Sequence, residues 1–225
     1  PREVTRLSLE ALRRNGHNLG LTDCETIGQH DIPVLKPENA PERMIWIGFN
    51  SASTDTNRSA HGVHFFIDDY LFERAWNDPA RYAALLRGFR AVLTADFSMF
   101  TDYPKAVQIY NHWRKHLLGA YWQSLGITVY PSICWSDHDS YDWCFDGEPV
   151  GGTVAVSSVG TQKSKDARKL FMDGYSEMLS RLKPRKVLFF GDVPDECEGN
   201  IEPYDAFYKA VHSRRSALDS PGKQR

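Results

Sequence analysis

The sequence predicts an α/β fold with a mostly parallel sheet of about six strands and crossover helices, either an incomplete (β/α) barrel or an open wound sheet. Two observations lead to this fold class. Apolar runs of strand length alternate with helix-patterned segments through the middle of the chain. In addition, residues 91–137 form a β-α-β pattern in which polar side chains follow both strands, as they do at the binding sites of parallel sheets.

The predicted elements alternate regularly along the chain. The strand candidates are Met44–Phe49, His64–Ile67, Ala91–Ala95, Ile127–Trp135, Thr153–Ser157 and Val187–Phe190. The helix candidates are 70–76, 79–88, 104–125 and 163–182. Because parallel strands need long crossovers, we expect the last five strands to be mutually parallel and to share one sheet. Residues 140–152 are the expected place for an added hairpin.

The helix candidate at 104–125 has the clearest pattern. Asp102 is a candidate cap, Pro104 suits the first turn, and Gly126 suits the end. Apolar residues recur at helical spacing, which predicts one face packed on the sheet. We expect Trp113 to be largely buried in that face.

Three segments follow from composition and periodicity. Residues 1–30 are interpreted as a marginal helix and an irregular lead-in, 31–208 as a single α/β domain, and 209–225 as a basic, disordered tail. The formal net charge is −2. Both ends are basic, so residues 23–208 carry a net −8. An acidic body disfavours a broad phosphate-binding surface, although the basic ends could contact nucleic acid.

Several classes of protein are disfavoured. No apolar run approaches the roughly 18 residues that a membrane span needs, and the charged N-terminal residues precede no hydrophobic block. We therefore expect a cytoplasmic protein with no membrane partner, and four reduced cysteines. The sequence also lacks a P-loop, a dinucleotide-binding glycine fingerprint and a Gly-x-Ser-x-Gly elbow. The oligomeric state is not indicated.

Polar residues at the predicted strand ends define a candidate site. Asp96, Asp69 and Asp137 are candidates for acid–base catalysis or for binding a divalent cation of unspecified identity. The candidates for binding substrate are Ser98, Asn111, Arg114, Trp135, Ser157 and Asp192. Carboxylates that converge from several strands can ligate a cation, or can raise one another's pKa until one is an acid beside an ionised base. The alternative is helix capping, which we favour for Asp69.

The long helix carries further polar candidates. Arg114 could bind an anionic substrate group, oriented by Asn111 one turn earlier, or could form a buried ion pair with an Asp of the sheet, which we favour. His112 and His116 have a spacing compatible with metal binding, but no Glu follows His112, and we expect both on the solvated face. His64, near the start of the second strand, is expected at the end of the sheet opposite the site.

A series of short motifs extends from about residue 32 to residue 191. They are His64-Phe-Phe-Ile-Asp-Asp69, Phe72-Glu-Arg74, Asp96-Phe-Ser98, Pro104, Asn111-x-x-Arg114, Gly119-Ala-Tyr-Trp122, Pro131, Trp135, Phe145-Asp-Gly147 and Ser157-x-x-Gly160. Together they resemble the DUF4417 family. The resemblance implies a protein of bacteria, phages or mobile elements and supplies no catalytic residue. Ala95 and His116 stand where the family pattern has Pro and often a second basic residue, which weakens a phosphate-binding helix face.

Two classes of function remain open. The first is an enzyme acting on a nucleotide, nucleic-acid or sugar-phosphate substrate through the strand-end carboxylates, with Arg114 holding an anionic group. The second is a non-catalytic accessory protein of a phage or mobile element that binds DNA or a host protein through its basic ends. The acidic body and the number of strand-end carboxylates favour the enzyme.

Overall fold

The computed structural model describes residues 16–39 and 41–206. Most of the predicted N-terminal helix and the whole predicted tail at 209–225 lie outside these residues. The strands are β1 (Thr26–Ile27), β2 (Ile32–Pro33), β3 (Ile45–Gly48), β4 (His61–His64), β5 (Ala91–Leu93), β6 (Val129–Tyr130), β7 (Thr153–Ser157), β8 (Lys186–Phe190) and β9 (Ile201–Tyr204). The α-helices within these residues are α1 (Glu73–Asn77), α2 (Pro79–Leu86), α3 (Lys105–Ser124) and α4 (Lys165–Leu182).

Strands β3 to β9 are all parallel and neighbour one another in chain order, in a sheet of four strands and a sheet of three. The two sheets meet at a seam between β6 and β7, where a single parallel bridge joins Ser132 to Ala155. Two backbone hydrogen bonds of 2.8 Å flank it, from Ile133 N to Ala155 O and from Ala155 N to Pro131 O. The predicted α/β class and parallel order are confirmed, but the single sheet is replaced by two sheets with a narrow seam.

Side chains of both sheets share an inner core. Trp46 of β3 packs edge-on against Phe190 of β8 and Tyr204 of β9, with ring centroids 6.0 and 6.3 Å apart. Arg43, just before β3, donates a hydrogen bond of 3.2 Å to the backbone oxygen of Pro203 in β9. In the described part of the chain no strand pairing joins β3 to β9. The strands therefore curve towards a barrel that stays open on this side.

The helices cover the outer faces of the sheets. Trp122 of α3 is fully buried and stacks on Phe65, with ring centroids 5.6 Å apart. Trp113 is partly buried and packs against the core, so it is less enclosed than Trp122. It stacks on Tyr110 at the edge of the helix face rather than at its centre. Asp102 does not cap α3, which begins after Pro104 without a side-chain cap.

The main differences from the predicted elements lie in short or polar strands. Strands β1, β2 and β9 were not predicted, and residues 140–152 form turns rather than a hairpin. Strand β4 lies three residues earlier than predicted and ends at His64. The chain then turns, with a 2.7 Å hydrogen bond from Ile67 N to Phe65 O. His64 therefore lies at the carboxyl end of the sheet, not at the opposite end. Among the described residues, no helix has the length and apolar character that a bilayer crossing requires.

Candidate active site at the carboxyl ends of the strands

A cavity of about 370 Å³ lies at the carboxyl ends of β5, β6 and β7, beside the seam. Asp96 follows β5, Trp135 follows β6, and Ser157 ends β7, and all three line this cavity. Lys163, just before α4, and Phe171 of α4 line it as well. The structure thus brings three of the predicted site residues together from three successive strands.

Asp96 is the chemically unusual residue of the cavity. Burial raises the pKa of this carboxyl to about 7; the Lys115 ammonium opposes the shift, the nearby Asp69 charge adds to it, and a hydrogen bond from Ser132 opposes it. Its Oδ1 atom has no hydrogen-bond partner within the described residues. The residue as a whole is nevertheless partly exposed to solvent. Asp96 can therefore hold or release a proton near neutral pH.

A hydrogen-bonded chain of four predicted site residues lies behind Asp96. Asp69 accepts hydrogen bonds from Ser98 N at 3.0 Å and from Ser98 Oγ at 2.8 Å. The Ser98 carbonyl accepts one from Asn111 Nδ2 at 2.6 Å, and Asn111 Oδ1 accepts one from Arg114 Nε at 3.0 Å. The chain fixes the segment that follows β5 against α3. The carboxylate of Asp69 accepts these hydrogen bonds from Ser98 and does not cap a helix, as we had expected it to do.

Arg114 points away from the cavity. Its Nη1 donates to Glu73 Oε1 at 2.6 Å, and its guanidinium lies 3.6 Å from the ring centroid of Phe97. The side chain is 11% exposed, and it is not among the residues that line the cavity. The ion pair that we favoured for Arg114 therefore exists, although its partner lies on α1 and not on the sheet.

Asp137 and Asp192 do not line the cavity either. Asp137 precedes a short helical turn, and its backbone oxygen accepts a hydrogen bond of 2.6 Å from Ser140 Oγ. The backbone oxygen of Asp192 accepts one of 2.7 Å from Ser158 Oγ. Both residues support the loops around the strand ends through their main chains.

Trp135 owes its position to a glycine on α4. A Cβ atom built on Gly174 would overlap the Trp135 indole, so only glycine fits there. The indole Nε1 donates a hydrogen bond of 3.1 Å to the backbone oxygen of Leu170. The wide face of Trp135 is thereby held as a wall of the cavity.

Cys134 also lines the cavity, but it does not fit the role of a nucleophile. Burial raises its pKa, and the nearby Asp96 charge adds to the shift, so the sulfur stays a thiol at neutral pH. All four cysteines of the chain are free of disulfides. The cavity therefore favours acid–base chemistry at Asp96 over thiolate attack.

A second polar cluster lies on the other side of α3, and sequence reasoning missed its central members, Lys115 and Glu148. Lys115 Nζ donates to Glu148 Oε1 at 2.6 Å and to Ser132 O at 3.0 Å. His112 and His116, expected on the solvated face, are 1% and 0% exposed, so that expectation is wrong. The segment before β7 packs over this face of the helix. The sequence of the helix alone does not predict that this face is buried.

A larger cavity, of about 500 Å³, lies at the gap between β3 and β9. His64 lines it, and burial lowers the pKa of that imidazole to about 3, so the ring is neutral. Asp55 lines it as well, and its carboxylate lies 2.8 Å from His61 Nδ1. The Asp96 cavity is the stronger candidate because its carboxyl titrates near neutrality.

Comparison with known proteins identifies relatives over most of the chain. Residues 24–207 match the family described as "Domain of unknown function (DUF4417)". The "Gene 1 protein" of Mycobacterium phage L5 is 37% identical over 211 residues, covering 92% of this chain and 91% of the relative. The "Gene 1 protein" of Mycobacterium phage D29 is 46% identical over 169 residues, covering 72% of this chain and 60% of the relative. No solved structure matches the chain. The resemblance expected from the sequence motifs is confirmed, and the chain belongs to the DUF4417 family.

Proposed function

We propose that this protein is an enzyme acting on a nucleotide, nucleic-acid or sugar-phosphate substrate, with Asp96 as the general acid–base. One observation carries the proposal: the carboxyl of Asp96, with a pKa of about 7, belongs to a partly exposed residue that lines a cavity. That cavity lies at the carboxyl ends of parallel strands, where α/β enzymes place their catalytic groups. A carboxyl that titrates near working pH is suited to proton transfer in both directions.

The rest of the cavity fits a ligand with a flat body and an anionic end. Phe66, Phe100 and Trp135 offer aromatic faces on which a base or a sugar ring can pack. Gly160 and Lys163 lie in the loop that leads into α4. Such a loop places an ammonium group and the N-terminal end of a helix together, and both attract phosphate.

Asp69 serves as a positioning residue in this proposal. Its charge helps to raise the pKa of Asp96, and Ser98 holds it in place through two hydrogen bonds. A divalent cation is compatible with the two carboxylates, and Mg²⁺ is therefore included as a variable in the test.

The test is a thermal-shift and turnover screen of wild type, Asp96→Asn and the control Asp139→Asn, whose carboxylate is exposed. Nucleoside monophosphates, ribose 5-phosphate, oligonucleotides and inorganic phosphate are each tried with and without Mg²⁺. We expect at least one phosphorylated compound to raise the melting temperature of wild type and of Asp139→Asn. Asp96→Asn should keep the fold and lose about 100-fold or more in turnover of that compound.

The accessory-protein function is the other outcome of the same screen. It predicts that none of the small phosphorylated compounds raises the melting temperature of wild type or of either variant, and that none is turned over. It also predicts that Asp96→Asn lowers the melting temperature, since the carboxyl would then be a purely structural contact. That pair of results would end the enzyme hypothesis.

A further inference from the structure

We propose that His112, His116 and Glu148 bind one divalent transition-metal ion, with Zn²⁺ as the best-fitting ion, beneath the seam between the two sheets. Each of the three side chains offers one ligand atom, and these atoms lie within 4.8 Å of one another. All three residues are buried, with exposed fractions of 1%, 0% and 7%. Two imidazoles and one carboxylate form a ligand set that Zn²⁺ and related ions favour over Mg²⁺ and Ca²⁺.

The hydrogen bonds of the two histidines indicate which nitrogens face the ion. His112 Nε2 lies 3.0 Å from the backbone oxygen of Asp146, and His116 Nδ1 lies 2.8 Å from that of Pro33. A carbonyl oxygen only accepts, so each of these nitrogens carries its proton. His112 Nδ1 is left as a lone-pair donor, whereas His116 Nε2 lies 3.0 Å from Glu148 Oε1, where a bound ion would replace the proton of that contact. Metal-bound histidines are held in the same way, by a hydrogen bond from the nitrogen that does not bind the ion.

Two atoms of the cluster lack partners, and both are of the type that binds metal. His112 Nδ1 and Glu148 Oε2 make no hydrogen bond within the described residues, although each is enclosed by protein. Leaving a buried polar atom unpaired costs about 1–3 kcal/mol, so such atoms call for an explanation. An ion held by His112 Nδ1, His116 Nε2 and Glu148 Oε2 would satisfy both atoms. Three protein ligands leave a fourth position of a tetrahedral ion to a non-protein ligand.

Lys115 determines which oxygen of Glu148 remains for the ion. Its Nζ donates to Glu148 Oε1 at 2.6 Å and to the backbone oxygen of Ser132 at 3.0 Å. Oε1 also lies 3.0 Å from His116 Nε2, so Oε1 has two partners and Oε2 has none within the described residues. Ser132 forms the single bridge between the sheets, so the same contacts tie the cluster to the seam. The inferred role of the ion is therefore structural: it fastens α3 and the segment before β7 at the narrowest join of the fold.

The first experiment measures metal in the full-length chain, purified without a histidine tag, by elemental analysis and by Zn²⁺ titration of chelator-treated protein. We expect saturation at one ion per chain and a rise in melting temperature on binding. His112→Gln should weaken Zn²⁺ binding by about 100-fold, whereas the control His138→Gln, whose side chain is 61% exposed, should bind as wild type does. A folded His112→Gln variant with unchanged affinity would overturn the proposal.

A second measurement uses wild type alone, in case the buried variants do not fold. Co²⁺ added to chelator-treated wild type should give the intense visible bands of a low-coordinate site, and Zn²⁺ should displace them. Folded wild type that binds less than about 0.1 equivalent of Zn²⁺, and shows no such bands, would refute the site. Neither result depends on the chemistry proposed for Asp96, so the two proposals fail separately.

Discussion

The two polar clusters beside α3 shift the pKa of their carboxyl groups in opposite directions. Burial alone would raise the pKa of Glu148, but Lys115 and His116 lower it below its ordinary value. Burial raises the pKa of Asp96 to about 7, and Lys115 only partly opposes the shift. The Glu148 cluster thus holds an ionised carboxylate in place, while the Asp96 cavity holds a carboxyl that can exchange its proton. The comparison separates a carboxylate that ion pairs keep ionised from a carboxyl that titrates near neutral pH.

The largest expected effect is the loss of the ammonium shared by the Glu148 cluster. Lys115→Met leaves the buried Glu148 without its ammonium partner and with only His116 beside it, and we expect a loss of about 3–5 kcal/mol in the free energy of unfolding. Urea unfolding of the protein measures it. The control Lys105→Met removes an exposed pair with Asp139 and should cost less than about 1 kcal/mol. Equal costs for the two variants would show that the Glu148 cluster contributes no more than a surface pair does.

Arg114→Met tests whether the polar chain behind Asp96 is structural. The variant loses the hydrogen bond to Asn111, the ion pair with Glu73 and the contact with the Phe97 ring, and should lose about 2–3 kcal/mol of stability. Arg168→Met, which breaks an exposed pair, is the control and should lose less than about 1 kcal/mol. If Arg114 bound substrate instead, its variant would unfold like wild type and lose ligand affinity.

Most substitutions lower the free energy of unfolding, but Asp96→Asn should raise it at neutral and higher pH. The pKa of Asp96 is about 7 in the folded protein, against an ordinary value of 3.8, so the folded state binds the proton more tightly. The contribution of Asp96 to wild-type stability therefore falls as the pH rises from about 4 to about 7, and the variant lacks this contribution. At pH 8 we expect the variant to be more stable by roughly 1–2 kcal/mol, because partial exposure reduces the effect.

Unfolding curves of wild type and Asp96→Asn at pH 4.5, 6 and 8 check this expectation. The exposed Asp139→Asn control should run parallel to wild type across the range. A variant that is less stable than wild type at pH 8 would mean that Asp96 is ionised and well paired in the folded state. The contrast between the two clusters would then disappear.

Ser98→Ala should have the smallest effect. It removes the Oγ donor to Asp69 Oδ1 and keeps the backbone donor to Asp69 Oδ2, so we expect a loss of about 1 kcal/mol. Ser124→Ala, whose hydroxyl donates to a backbone oxygen at an exposed position, should cost less than about 0.5 kcal/mol. Urea unfolding again measures both, and a Ser98 variant as stable as the Ser124 variant would remove Ser98 from the supporting chain.

The parallel order of the strands could be predicted from the sequence, because the spacing of apolar runs and helices reports on local geometry. The position of Asp96 at a strand end could be predicted for the same reason, because it follows an apolar run of strand length. The pair formed by Lys115 and Glu148 could not be predicted, since its two members come from distant segments and a lysine in a helix normally indicates a surface. His112 and His116 were placed on the solvated face because they flank the polar side of the helix. The missed strands, β1, β2 and β9, are too short or too polar to show a period.

The glycine that accommodates Trp135 has an evolutionary consequence. Gly174 does not line the cavity, but a larger residue there would displace the Trp135 indole, which does. The width of the cavity, and with it the size of ligand admitted, can therefore be altered by a mutation remote from Asp96. Under the function proposed above, position 174 is therefore a place where relatives of this chain can alter the cavity while Asp96 is retained.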